Sequence, residues 1–177
     1  MSPDSTSSTD GREIAVAELT NLEDKLGEVV GLAMAAQAAT EKVMKLEDAE
    51  QFKADLERMN MEASEAEKRG TALAEGIEGK KTAILEKARE TKSKGSEMLK
   101  TYIDEESDAL DGFEFLTMAE AGEVGHWKIL KTMAEKAGRR EVTQLVEWGL
   151  PIQERHLSEV QQNSLRLAAE EDPNETS

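Results

Sequence analysis

The sequence predicts an all-α protein in which four long helices form two hairpins joined by one long crossover. Three observations predict it. Only three prolines occur in 177 residues, at Pro3, Pro151 and Pro173, while Ala, Glu, Lys and Leu dominate and aromatic residues make up 3%. Such a composition is rich in strong helix formers. Apolar residues recur three and four positions apart over long runs, the period of an amphipathic helix. Glycines at Gly76, Gly79 and Gly138 fall between those runs as breaks.

The length suits one domain with a sizeable core. Residues 1–11 are Ser, Thr, Asp and Pro with almost nothing apolar, and residues 170–177 are acidic around Pro173. Both are expected to be flexible tails on a bundle spanning residues 12–169. The chain contains no Cys, so disulfides, zinc thiolates and iron–sulfur clusters are excluded, and a metal would need oxygen and imidazole donors. No run is long and apolar enough for a membrane helix, and no signal peptide is expected at the N-terminus. A cytoplasmic protein without a membrane partner is the expectation.

The formal charge of −16 opposes a nucleic-acid partner, whose phosphates would be repelled. Residues 80–100 run the other way, with seven basic residues against Glu86, Glu90 and Glu97. No aromatic is interleaved there, so a solvated helix face is the reading.

Taken in order, the first helix is expected over residues 13–44, with Val16, Leu19, Glu23, Leu26, Val30 and Ala33 on one stripe. Its later part, with Ala33, Ala35, Ala36, Ala38 and Ala39, permits close helix approach. The second, over 48–78, carries Phe52, Leu56, Met59, Ala63, Ala66, Gly70, Leu73 and Ile77, and Glu62 can turn inward at its small-residue waist. An accessory helix in the crossover, about 82–103, has the thin stripe Leu85, Ala88, Gly95, Leu99 and Tyr102, which predicts loose packing. The third long helix covers 107–137 and closes at Gly138. The fourth covers 140–169, with Leu145, Gly149, Ile152, His156 and Glu159 inward and Pro151 expected to bend it just before the histidine. The eight Met residues, Met59, Met61, Met118 and Met133 among them, read as core fillers.

The stripe of the third helix reads Phe113, Leu116, Glu120, Glu123, Trp127, Leu130, Ala134. Two carboxylates thus fall where core residues belong. Burying a lone charge costs several kcal/mol or more, so such a group requires a cation, hydrogen bonds or a metal. His126 follows Glu123 by one turn, and Glu-x-x-His on an inward helix face is the ligand spacing of dimetal sites in four-helix bundles. Glu23 on the first helix, Glu62 on the second, and Glu154 with His156 on the fourth complete a candidate set with Glu120, Glu123 and His126. Carboxylate and imidazole donors suit iron, with manganese or zinc as alternatives. No phosphate-binding glycine loop or Ser-His-Asp arrangement competes.

The run from Glu120 to Gly138, with its paired Glu120 and Glu123, resembles the third helix of small ferritin-like proteins, especially the stress-associated YciF type. Leu22-Glu23-Asp24-Lys25-Leu26 is similar to that family's first-helix ligand segment. The resemblance implies a ferritin-like four-helix bundle with two metal ions, reacting with O2 or peroxide in metal handling or stress protection, with ferroxidase chemistry as the enzymatic expectation. A homodimer is the expected assembly. Two departures stand out. No histidine precedes His126, where the family carries one on its second helix, and the fourth helix offers Gln153-x-x-His156 with Glu154 displaced by about 100° around the helix. Either Glu154 takes the ligand position after the Pro151 bend or the second half-site is degraded. The alternative reading is therefore a metal-free, degenerate bundle acting as a stress or protein-interaction module.

Overall fold

In the computed structural model, which describes residues 17–176, the chain folds into helices α1 (Asn21–Val43), α2 (Lys53–Glu75), α3 (Lys81–Tyr102), α4 (Ala109–Ala137) and α5 (Arg140–Ala168), with a 3-10 turn, Ala49–Phe52, before α2. Among the described residues no helix is long and apolar enough to cross a membrane. Residues 1–16, including Val16 and the expected N-terminal tail, lie outside the described residues.

α1 begins later than its periodicity suggests because a capping box sets its start. The Thr20 hydroxyl accepts from the Glu23 backbone N–H at 3.2 Å, and the Thr20 N–H donates to Glu23 Oε2 at 2.9 Å. Two otherwise orphan N–H groups are satisfied together. α4 starts the same way on Asp108 and Asp111, and ends at Gly138, whose φ of 63° favours a residue without Cβ. The two-residue joint to α5 makes α4 and α5 an antiparallel hairpin, in which Trp127 lies over Gly149 and Thr117 meets Ser164.

Cross-helix contacts fix the remaining directions. α1 and α2 run antiparallel, since Thr40 receives Asn60, Gln37 meets Glu67, and Val30 faces Gly70. α2 and α5 do likewise, through Arg58 with Glu159 and Glu62 with His156. α1 and α4 are antiparallel through Glu28 with His126 and Val43 with Gly112.

α3 departs from the expectation of a loose accessory helix. It lies parallel to α1, and its backbone comes so near that a Cβ on Gly31 would stand 2.3 Å from the Ala88 carbonyl oxygen, while one on Gly27 would stand 2.8 Å from that of Ile84. Gly27, Gly31 and Ala35 recur every fourth residue and form the flat ridge that admits it. Its buried residues are Ala83, Ile84 and Ala88, all near its start, whereas Met98 and Tyr102 are exposed. The thin stripe therefore reflects backbone proximity rather than weak association.

Two apolar clusters make the core. One gathers Leu26, Val30, Ile84, Trp127, Leu130 and Val146; the other gathers Val43, Phe52, Leu56, Phe113, Leu116 and Val160. Phe52 and Phe113 meet edge to face with ring centroids 4.8 Å apart. Among the described methionines only Met59 is fully buried, Met34, Met44 and Met133 pack partly buried against the core, and Met61, Met98 and Met118 are exposed, so core filling holds for only some of them.

Candidate functional site

Between the two apolar clusters lies a polar layer. On α4 the stripe passes from Phe113 and Leu116 to Glu120 and Glu123 and then to Trp127 and Leu130. On α5 Gln153 and His156 occupy the corresponding gap between Val146 and Val160. Small residues on α1, Ala33 and Ala36, leave room for these side chains. Glu120 and His156 are 1% and 2% exposed, so the layer is interior rather than at a rim.

Glu120 and His156 anchor this layer. The Gln153 side-chain amide donates to Glu120 Oε2. His156 Nδ1 stands 3.7 Å from the same oxygen, and its Nε2 stands 2.6 Å from Glu62 Oε2 on α2. Arg155 approaches that Glu62 oxygen at 2.5 Å from the solvent side. Burial pushes the His156 pKa down, but hydrogen bonds to and charges on Glu120 and Glu62 outweigh it, and the net shift is upward. The surroundings thus favour the imidazolium more than water does, with one carboxylate facing each ring nitrogen. Arg58, one turn before Glu62, binds Glu159 through two nitrogens at 3.0 to 3.2 Å and extends the ionic seam of α2 and α5.

Glu123 has no such partner. Its side chain makes no hydrogen bond among the described residues, and it opens onto a cavity of about 200 Å³ between α1, α3 and α4. Burial, followed by the charge of Glu120 one turn away, raises its pKa well above the usual carboxylate range.

The other candidate ligands lie elsewhere. Glu23 is buried, but as the N3 partner of the α1 capping box and 3.5 Å from Lys80. It is about 14 Å along the α1 axis from Leu32, the first α1 residue on the cavity that Glu120 and Glu123 also line. His126 is half-buried and faces α1, with Nδ1 3.1 Å from Glu28 and 3.3 Å from Lys25. Burial raises the Glu28 pKa, but the hydrogen bond and charge of Lys25, with His126 and Lys87, outweigh it and hold the carboxylate low. Glu154 is exposed and pairs with Lys128 at 3.2 Å, so Gln153 and not Glu154 faces the interior. The two histidines accordingly serve separate polar groups, one toward α1 and one toward α2.

Sequence reasoning left out Arg58, Arg155 and the Lys25–Glu28 pair. One signal was present: Arg58 lies four residues before Glu62 and Arg155 adjoins His156, so cations stand beside both candidate residues.

The donors do not fit a dimetal centre as they stand. Among the described residues no group of three or more His, Asp or Glu side chains is placed to hold a metal ion. The physical reason is that the imidazole separates the two carboxylates, each of which uses a different ring nitrogen, and α1 presents alanines at this level. Compared with family models, curated proteins and solved structures, the chain shows no significant match to any of them.

Proposed function

We propose that the chain is a ferritin-like helical bundle whose interior polar layer neutralises itself without metal, and that it works as a binding module rather than an oxidoreductase. The helix directions support the ferritin-like part. α1, α2, α5 and α4 follow one another around the molecule, each antiparallel to the next, and α3 carries the chain back along α1 as the long crossover of that architecture.

The observation that carries the metal-free part is the placement of His156 between Glu62 and Glu120. A dimetal site leaves carboxylates to be neutralised by the ions it binds. Here a histidine with a raised pKa, the Arg155 guanidinium and the Gln153 amide already supply the compensating charge and hydrogen bonds. Buried charges persist when paired and hydrogen-bonded in this way. Burial, then the charge of Glu120, shifts Glu123, the carboxyl left over, toward its neutral form.

Metal analysis of untagged protein, followed by anaerobic titration with ferrous, manganous and zinc ions, tests the reading. Well under one ion per chain, with no O2 or peroxide consumption after ferrous addition, is the expected outcome. One or two ions per chain, lost together in Glu120→Ala and His156→Ala, would overturn it and restore the iron-handling reading.

A further inference from the structure

The cavity between α1, α3 and α4 is apolar on almost every side. Leu32, Ala35 and Ala36 form its α1 wall, Met98 its α3 wall, and Phe115 and Leu116 one end of its α4 wall. It exists because the ridge of Gly27, Gly31 and Ala35 holds α3 against α1, while α3 and α4 scarcely touch. Into this space opens Glu123, 4% exposed and without a hydrogen-bond partner among the described residues. Its neighbours on the cavity are Glu120, engaged by Gln153 and His156, and His126, turned toward Glu28 and Lys25. Neither the α1 wall nor the α3 wall carries a charge.

Its carboxyl oxygens reach only the open space of the cavity, and a largely buried carboxyl that finds no side-chain partner is costly until something it can pair with arrives. A group needed only as a neutral hydrogen-bonding contact would be served by an amide, as at Gln153. An acid in an apolar cavity complements a cation carried on an apolar body, and the net charge of −16 draws cations toward the protein. Size narrows the class. A cavity of roughly 150 Å³ lined by aliphatic and aromatic side chains takes up benzene. At about 200 Å³ this one has room for a ring of that size with a short arm.

We propose that this cavity is a binding site for a small lipophilic amine, its apolar body against Leu32, Ala35, Met98 and Phe115 and its ammonium on the Glu123 carboxylate. The inference goes beyond the metal-free reading. Either can fail without the other, because the probes are organic and the protein is treated with chelator.

Benzylamine and benzyl alcohol share a ring and an arm and differ in charge, so calorimetric titration of the full chain with each one separates ion pairing from apolar filling. Benzylamine is expected to bind at least tenfold more tightly, and to shift the amide resonances of Ala35, Ala119 and Gly122. Glu123→Gln preserves shape and should abolish the tenfold preference while leaving weak binding of the alcohol. Equal affinities for the two probes in the unmodified protein, or resonance shifts confined to other surfaces, would overturn the proposal without recourse to any variant. A preference that survives in folded Glu123→Gln would overturn it as well.

Discussion

Glu120 and Glu123 stand one helical turn apart on the same buried face of α4, yet Glu120 is met by Gln153 and His156 while Glu123 has no hydrogen-bond partner among the described residues. One stripe position thus carries partners, while burial pushes the carboxyl at the next toward its neutral form. The difference arises from what faces each: α5 supplies polar groups opposite Glu120, and α1 and α3 supply Leu32, Ala35 and Met98 around Glu123.

This inequality sets the pH dependence of stability. Glu123 and His156 both have folded-state pKa values raised above their unfolded ones. The stability each contributes is complete below its unfolded pKa and is lost as pH rises through the folded value. Stability should therefore decline as pH rises above the unfolded value of about 4.5 for Glu123 and above about 6.5 for His156, whereas Glu28, with a lowered pKa, gives a loss only on the acid side. Urea unfolding across those values checks the sign. Glu123→Gln should flatten the decline and raise stability at pH 8 by about 1–3 kcal/mol; a decline of unchanged slope in the variant would assign the effect to other groups.

His156→Ala should destabilise the protein by about 3–5 kcal/mol, because it leaves Glu62 and Glu120 without the cation between them. Replacing Glu120, Gln153 and His156 together by Leu should recover most of that loss, since a buried ionic group and an apolar one of similar volume are often equivalent. Denaturant midpoints of the single and triple variants make the comparison. If the triple variant is the less stable of the two, the layer contributes net stability and not only specificity.

The elements were legible in the sequence where a period or a break acts locally. Gly138 ends α4, Gly76 follows α2, and the stripe Phe113 to Ala134 runs along the buried face of its helix. The start of α1 was not legible from periodicity, because Leu19 continues the stripe while the Thr20–Glu23 box ends the helix before it. That same box explains Glu23, whose place on a stripe records a cap. α3 was misjudged because apolar spacing measures side-chain burial and cannot register a backbone carbonyl lying against Gly31. The polar layer was half visible. Buried acids announce themselves on an apolar stripe, but Gln153 and Arg155, the partners of Glu120 and Glu62, come from another helix, and only tertiary register brings them together.

Two glycine substitutions separate close approach from helix propensity. Gly31→Ala places a methyl 2.3 Å from the Ala88 carbonyl oxygen, so α3 must move off α1. The cost expected is about 1–3 kcal/mol, larger than the propensity gain of roughly 1 kcal/mol. At Gly122 a Cβ meets nothing within 4 Å, and Gly122→Ala should stabilise by about 0.5–1 kcal/mol. Thermal unfolding of both variants gives the two signs; a stabilised Gly31→Ala would mean that α3 does not rest on α1 as described.

Gln153→Glu distinguishes a metal-free layer from a degraded metal site. The substitution creates Glu-x-x-His on α5, which a dimetal centre would exploit as an added anionic ligand. In the structure, however, the Gln153 amide donates to Glu120 Oε2. A carboxylate there cannot donate, and it adds a like charge beside a buried anion, so one of the pair must take up a proton. The variant is expected to lose about 1–3 kcal/mol at neutral pH, to regain part of it in mild acid as the pair shares a proton, and to bind no ferrous iron. Unfolding curves at two pH values and an anaerobic iron titration read out both halves. A variant that is less stable alone but is restored by stoichiometric iron would show that α5 faces a site for metal, with Gln153 the position at which that site was lost.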